Sequence, residues 1–132
     1  LNRWIEPEVI EACDELGLGI IAFSPLGQGM LTDRYLNGIP SDSRAAKDGF
    51  LKRDFINEDN MARIRGLNDI AARRGQTLAA MAIAWVLRDS RVTSALIGAS
   101  SVEQLETNLA TLDRLELTAE ELAGIDEITP LG

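Results

Sequence analysis

Histidine is absent from the sequence, and cysteine occurs once, as Cys13. Without an imidazole, the chain contains neither a histidine-ligated metal site nor a catalytic arrangement that depends on histidine, and we predict no metal. A lone cysteine cannot form a disulfide within the chain, which is typical of a reducing compartment, so we expect a cytoplasmic protein. Cys13 is expected to pack as a small hydrophobe, because no histidine could activate it as a nucleophile.

Long hydrophobic runs and basic residues are also scarce. No apolar run approaches the roughly 20 residues of a membrane span, and the first residues, Leu1 to Glu6, do not resemble a signal peptide. The chain has 13 Lys and Arg against 21 Asp and Glu, a net charge of −8. Nucleic acid and anionic membranes bind clustered basic residues, so we expect neither as a partner. Hydrophobic residues make up 45 % of the 132 residues, which favours a globular chain.

Two short apolar segments, each followed by a loop, are predicted to be β-strands. Gly19–Phe23 is uninterrupted by polar residues, which is typical of a strand buried on both faces. It continues into the loop Ser24–Gly29, and the second segment, Thr93–Gly98, continues into Ala99-Ser100-Ser101. In α/β proteins ligands bind beyond the carboxyl ends of parallel strands. The first loop is therefore a candidate binding site, and an ordinary tight turn is the alternative.

Helical periodicity surrounds these strands. Helices are predicted from Pro7 to Leu16, from Asp59 to Arg74, after Thr77, after Ser100 or Ser101, and after Thr118. Capping-box spacings occur at Ser100, Ser101 and Thr118. The apolar faces expected in the packing are Val9, Ile10, Cys13 and Leu16; Met61, Ile64, Leu67, Ile70 and Ala71; Leu78, Met81, Ala82, Trp85 and Val86; Val102, Leu105, Leu109 and Leu112; and Leu122, Ile125 and Ile128.

A long polar connection runs from about Leu31 to Asn57. Connections of this length inside a domain are usually functional or disordered. Two of its arginines, Arg34 and Arg44, are close enough in sequence to the glycine loop to reach an anion there, whereas Lys47, Lys52 and Arg53 are expected to be solvated. The helix that starts after Gly98 would present free N–H groups and a positive dipole end, which suits phosphate.

The predicted order of elements is that of an α/β protein with a parallel sheet. Two apolar strands cannot bury both of their faces and edges, and typical sheets have about five or six strands. The chain is therefore expected to be part of a larger fold.

The motifs resemble the C-terminal half of an aldo-keto reductase, and most closely the subgroup of voltage-gated potassium channel β-subunits and their bacterial relatives. The matching segments are 21–35, Asn37–Pro40 with Ser43-Arg44, Ala82–Leu87 and Ile97–Asn108. That family folds as a (β/α)8 TIM barrel, which needs about 250 residues. The resemblance implies that residues 1–132 form the C-terminal part of the barrel, strands seven and eight with their helices, and that the N-terminal half-barrel is a missing partner.

The same resemblance implies an NADP(H) site in this chain. Phe23 would lie against the nicotinamide ring, and Ser24, Pro25, Leu26, Gly27, Gln28 and Gly29 would surround the pyrophosphate, partly through backbone N–H groups. Arg34 would face the phosphates and Arg44 the adenosine end. Contacts to the 2′-phosphate and adenine would come from Gly98, Ser100, Gln104 and Asn108. Thr107 departs from the family, which often has glutamate there.

No catalytic residue is assigned. The family's Tyr, Lys, Asp and His tetrad comes from the first half of the barrel, and Tyr35, the only tyrosine, lies in the cofactor-loop motif instead. The leading hypothesis is NADP(H)-dependent reduction of a small carbonyl substrate by the complete barrel, with this chain inactive alone. One alternative is a cofactor-sensing regulatory subunit. Another is a stable fragment that associates with itself, as a homo-oligomer, or with another half-barrel.

Overall fold

The architecture is a two-stranded parallel sheet with helices packed beside it. A computed structural model describes residues 1–33, 36 and 56–131. Within these ranges the α-helices are α1 (Val9–Glu15), α2 (Glu58–Arg73), α3 (Leu78–Val86), α4 (Val102–Leu109) and α5 (Ala119–Ile128), the strands are β1 (Ile20–Phe23) and β2 (Val92–Leu96), and the 3₁₀ helices are Gly27–Gly29 and Ala110–Arg114. The predicted α/β alternation is confirmed. No helix of the described ranges is long and apolar enough to span a membrane.

Polar side chains begin four of the five α-helices at or near the predicted positions. Asn57 caps α2, and Thr77 caps α3 by accepting a hydrogen bond from the backbone of Ala80 at 3.1 Å. Thr118 opens α5 with the complete capping box that its spacing predicts. Ser101, not Ser100, caps α4. α1 differs most, because it begins at Val9 rather than Pro7 and no side chain caps it.

The core lies between α2, α3 and α5. All five apolar residues predicted along α2 are buried, and Ile64 and Ala71 have no exposed surface at all. From α3, Leu78, Met81 and Ala82 join the same cluster, with Trp85 partly buried against it. Amphipathic periodicity therefore predicts this part of the fold well, because both faces of the packing belong to the described chain.

Only one face of the two-stranded sheet is covered by the described residues. β1 pairs with β2 in parallel, with Phe23 opposite Leu96 and Ala22 opposite Ala95. Ala22 and Ala95 are half-buried, whereas Ile21, Phe23 and Leu96 on the alternate face are 66 %, 79 % and 62 % exposed. The prediction that β1 is buried on both faces is wrong for this chain. Parallel sheets are normally covered on both sides, and the described residues cover one.

Two helices turn apolar side chains outward. In α1 only Ile10 of the predicted face is buried, while Cys13 is half-buried and Leu16 is exposed. On α4 and the 3₁₀ helix after it, the expected apolar face is exposed, so its prediction as packed is also wrong: Val102, Leu105, Leu109 and Leu112.

Candidate cofactor-binding edge

The two predicted binding loops leave the sheet side by side. Phe23 and Leu96 are the last residues of β1 and β2, and they are paired across the parallel ladder. The loop Ser24–Gly29 and the segment that begins at Ile97 therefore start at the same carboxyl edge. In α/β folds this edge is where ligands bind. The structure thus brings the two sequence motifs together.

The first loop is tightly folded on itself. The N–H of Gly27 donates to the carbonyl of Ser24 at 2.9 Å, and the N–H of Gly29 donates to the carbonyl of Leu26 at 2.9 Å. Two non-glycine residues, Ser24 at φ +52° and Gln28 at φ +59°, adopt the left-handed conformation. Such residues cost of order 1–3 kcal/mol each and cluster at ligand-binding sites, where the surrounding structure maintains them.

These internal hydrogen bonds bear on the expected pyrophosphate contacts. The amides of Gly27 and Gly29 already have carbonyl partners within the loop. They could bind a phosphate only by sharing or exchanging those partners. The assignment of Ser24, Pro25, Leu26, Gly27, Gln28 and Gly29 to the pyrophosphate stays a prediction.

One part of the first loop is buried against the core, and the residues around its start are exposed. Pro25 is buried, and Met30 and Leu31, just beyond the loop, are 3 % and 8 % exposed and belong to the core. Phe23 and Ser24 are exposed instead, and the Phe23 side chain is among the most exposed apolar groups of the described residues. An apolar ring in this position gains free energy when another apolar surface covers it, and the flat nicotinamide ring is such a surface.

Beyond the end of β2, Ser100 and Gln104, which are both predicted to contact the cofactor, are hydrogen-bonded to each other. The Gln104 side-chain oxygen accepts hydrogen bonds from the backbone N–H of Ser100 at 2.7 Å and from its hydroxyl at 3.0 Å. Ser101 accepts from the backbone N–H of Gln104 at 3.1 Å, which caps α4. Ser100 is exposed and Gln104 half-buried, so their polar groups remain within reach of a ligand.

Gly98 has open space around it. A Cβ atom placed on Gly98 would meet no heavy atom within 4 Å, and Gly98 is exposed. The packing of the described chain therefore gives no reason for glycine at this position. Close approach of a ligand to the backbone is a reason that fits.

Asn108 is placed differently from the other predicted contacts. It is 4 % exposed, and its Nδ2 is buried without a hydrogen-bond partner in the described ranges. An unpaired buried amide costs about 1–3 kcal/mol. A contact from this Nδ2 to adenine would require the side chain to move outward, so the role of Asn108 stays a prediction.

The remaining predicted residues, Arg34 and Arg44, lie outside the described residues, as does Tyr35. In the part of the chain that is described, no group of three or more carboxylate and thiol side chains could hold a metal ion. The donor set at the edge instead consists of hydroxyl, amide and backbone groups beside an exposed aromatic ring. This chemistry fits a nucleotide cofactor with a nicotinamide ring, such as NADP(H).

A polar network away from the loops was missed by sequence reasoning. Glu6 accepts hydrogen bonds from Arg3 Nε at 2.7 Å and Nη2 at 2.9 Å, and from Arg88 Nη2 at 2.7 Å. Arg3 also donates to Asp126 at 2.6 Å and to the backbone carbonyl of Thr129 at 2.8 Å. The network therefore joins the N-terminal segment to the end of α3 and to α5.

Both guanidinium groups of this network face one indole ring. The guanidinium carbon of Arg88 lies 3.7 Å, and that of Arg3 5.2 Å, from the centre of the Trp85 ring. The hydrogen bonds from Arg3 to Glu6 raise the pKa of Arg3, whereas burial lowers the pKa of Arg88. Glu6 and Arg88 are 82 residues apart, and no local pattern signals such a pair.

Comparison with known proteins identifies a family that this chain matches. The sequence model described as the Aldo/keto reductase family matches residues 1–130. Two curated relatives, from Escherichia coli O157:H7 and Escherichia coli strain K12, are both named L-glyceraldehyde 3-phosphate reductase. Each is 47 % identical over 132 residues, which covers 96 % of this chain and 38 % of the relative. The chain thus spans less than two fifths of the length of these relatives.

Proposed function

Because the chain belongs to the aldo/keto reductase family, we propose that it supplies the cofactor-holding part of an enzyme that reduces an aldehyde or ketone with NADPH. The observation that carries the proposal is the shared edge, where Phe23 and Leu96 are paired and both predicted cofactor loops begin. The family's (β/α)8 barrel places its active site at this carboxyl edge. Within that barrel we assign β1 and β2 to strands seven and eight.

Each residue at the edge has a role that suits its exposure. Phe23 would cover one face of the nicotinamide, since its ring is 79 % exposed at the strand end. Ser24 to Gly29 would surround the pyrophosphate, and the exposed hydroxyl of Ser100 would donate to the 2′-phosphate. Gln104, half-buried beside Ser100, accepts the hydrogen bond of that hydroxyl at 3.0 Å, so the hydroxyl would turn from Gln104 to the phosphate when the cofactor binds. The cofactor supplies the hydride, and the group that protonates the substrate oxygen would come from the rest of the barrel.

The first substrate class to test is a short phosphorylated aldehyde. The two Escherichia coli relatives are named for L-glyceraldehyde 3-phosphate, and each shares 47 % identity with this chain. Their identity is high over the cofactor-holding portion, which makes their substrate a reasonable starting point for the complete enzyme. The single cysteine supports a reducing compartment, and we propose the cytoplasm.

Steady-state kinetics of the full-length protein test the proposal. We expect L-glyceraldehyde 3-phosphate to be reduced, with NADPH preferred over NADH, and glyceraldehyde without the phosphate to react more slowly. Ser100→Ala should raise the KM for NADPH more than it lowers kcat, because it removes a donor to the 2′-phosphate. Glu103→Gln, an exposed substitution on the same helix, is the matched control and should leave the KM for NADPH unchanged.

The outcome also separates the two functional hypotheses. NADPH binding with no reduction of any aldehyde tested would contradict the enzyme and support a cofactor-sensing subunit. Reduction at equal rates with NADH and NADPH would contradict the assignment of Ser100 to a 2′-phosphate. Absence of both binding and turnover would contradict the proposed function altogether.

A further inference from the structure

The side chain of Gln104 is hydrogen-bonded to Ser100 through its oxygen atom. Gln104 Oε1 accepts from the backbone N–H of Ser100 at 2.7 Å and from the Ser100 hydroxyl at 3.0 Å. An N–H and an O–H group of one residue thus converge on a single oxygen. Because a backbone N–H can only donate, the Gln104 amide presents its oxygen to Ser100 and turns its NH₂ group elsewhere.

This contact differs from an ordinary helix cap. Ser101 caps α4, since its hydroxyl oxygen accepts from the N–H of Gln104 at 3.1 Å. In a capping box, the side chain three residues after the cap accepts in return from the N–H of the capping residue, as Glu121 does toward Thr118 in α5. The Gln104 oxygen instead accepts from Ser100, one residue before the cap. Capping therefore does not account for its position.

The start of α4 leaves further hydrogen-bond donors free. The N–H groups of Ser101, Val102 and Glu103 have no acceptor among the described residues. They belong to the first turn of a helix, where unpaired N–H groups and the helix dipole favour a negative charge. These three residues and Ser100 are exposed. The Gln104 oxygen therefore covers two donors within a group that is otherwise open to a ligand.

The Gln104 oxygen and the 2′-phosphate of NADPH would need the same donor. The exposed hydroxyl of Ser100 is assigned to that phosphate above, and it donates to Gln104 in this structure. A phosphate oxygen and an amide oxygen are both acceptors, and a hydroxyl has one proton to donate. In this conformation Gln104 thus presents an acceptor where a phosphate requires donors.

We propose that Gln104 is an internal competitor of the 2′-phosphate, and that its oxygen must leave Ser100 before NADPH binds. This role rests on the proposed function, because it takes the start of α4 as the 2′-phosphate site. A charged acceptor makes hydrogen bonds roughly twice as strong as a neutral one, so a phosphate displaces the amide oxygen. The 2′-hydroxyl of NADH is neutral, and NADH binds with Gln104 left in place.

Gln104 thereby sets the preference between the two cofactors. NADPH binding includes the loss of both hydrogen bonds from Ser100 to Gln104, whereas NADH binding does not. Removing the Gln104 oxygen therefore strengthens NADPH binding relative to NADH. A contact from Gln104 to adenine would leave this ratio unchanged, because both cofactors carry the same adenine. Loss of a direct contact to the 2′-phosphate would lower the ratio instead, so the two roles of Gln104 have opposite signs.

Replacing Gln104 with methionine tests the proposal, since methionine is similar in length and lacks the amide acceptor. The dissociation constants of NADPH and NADH are measured for the full-length protein by fluorescence quenching. Gln104→Met should raise the ratio of the NADH constant to the NADPH constant by about 10-fold, which corresponds to two neutral hydrogen bonds. Gln104→Glu should lower the ratio by about 10-fold or more, because a carboxylate binds the Ser100 donors more tightly and repels a phosphate.

Further variants separate this role from a structural one. Ala110→Ser, an exposed substitution at the end of α4, should leave the ratio within about twofold. In a protein that already carries Ser100→Ala, Gln104→Met should raise the ratio by only about threefold, because one of the two hydrogen bonds is already gone. Far-ultraviolet circular dichroism checks that each variant keeps its helix content, and Gln104→Ala takes the place of Gln104→Met if that variant does not.

The ratio for Gln104→Met decides between the possible roles of the side chain. An unchanged ratio would overturn the proposal and make Gln104 a structural residue, and a lower ratio would overturn it and make Gln104 a direct ligand of the phosphate. An equal rise with and without Ser100→Ala would also overturn it. In each of these cases the proposed function stands, provided that NADPH binds at micromolar concentration. Absence of binding by both cofactors to the wild-type protein would overturn the proposed function as well.

Discussion

Replacing Glu6 with glutamine is expected to destabilise the protein although Glu6 is far from the predicted cofactor loops. Its carboxylate accepts three hydrogen bonds from two guanidinium groups, at 2.7 and 2.9 Å from Arg3 and 2.7 Å from Arg88. A glutamine at this position keeps one oxygen acceptor and replaces the other with an NH₂ donor. That donor would face guanidinium N–H groups, and two positive charges would remain beside the Trp85 ring with only Asp126, which is paired with Arg3, as a counter-charge.

The magnitude follows from the burial of the three side chains. Breaking a fully buried ion pair by removing one partner costs about 3–5 kcal/mol, whereas exposed pairs contribute about 0.2–1 kcal/mol. Arg3 is 7 % exposed, Glu6 16 % and Arg88 23 %, which lies nearer the buried limit. We therefore expect Glu6→Gln to lower the free energy of unfolding by about 2–3 kcal/mol, a large part of the 5–15 kcal/mol typical of a folded protein.

Urea unfolding of the full-length protein, followed by far-ultraviolet circular dichroism, measures this loss. Glu8→Gln is the matched control, because Glu8 is an exposed glutamate two residues away and its replacement should change stability by less than about 0.5 kcal/mol. Equal midpoints for Glu6→Gln and the wild-type protein would contradict a stabilising role for the Glu6 network. So would an equal loss for both substitutions, since the effect would then be independent of the network.

Three further predictions concern other parts of the described chain. Arg74→Met should lower stability by about 3 kcal/mol in the same urea assay, because Arg74, 2 % exposed, donates to Glu121 at 2.8 Å, and Arg73→Met, on the exposed side of the same turn, should change it little. Gly98→Ala should leave the melting temperature unchanged but weaken NADPH binding, and equal affinity for both proteins would contradict close approach of a cofactor. The side-chain hydrogen bonds from Arg91 should hold the pKa of Asp89 at about 2, which an NMR titration measures, and a midpoint near 3.9 would contradict it. The stability that this pair contributes is therefore present above about pH 4 and is lost as the pH falls toward 2.

The parts of the fold that the sequence predicts are those in which the chain packs against itself. The stripe on α2, from Met61 to Ala71, is buried as its periodicity indicates. Thr77 and Thr118 cap the helices that their spacing predicts, since capping is decided within about four residues. The family resemblance is confirmed by the match over residues 1–130, while its narrower form, to the potassium channel β-subunits, stays a prediction.

The failures share a different cause. The sequence predicts that the strand β1 and the apolar face of α4 are buried. Phe23 is nevertheless 79 % and Val102 72 % exposed, because what would cover them is not among the described residues. The pairing of Glu6 with Arg88 depends on the folded path of the chain, so it leaves no local signal. At the candidate site, the adjacency of the two loops follows from parallel strand pairing and is confirmed. The individual cofactor contacts depend on side-chain placement in the presence of the cofactor, so they, including that of Asn108, stay predictions.

Titration of the full-length protein with NADPH, followed by fluorescence quenching, tests the proposed cofactor site itself, because it requires neither a known substrate nor the catalytic residues. We expect saturable binding at micromolar NADPH, and weaker binding when Gly98 is replaced by alanine. No binding at micromolar NADPH would contradict the assignment of the shared strand edge to a nucleotide cofactor.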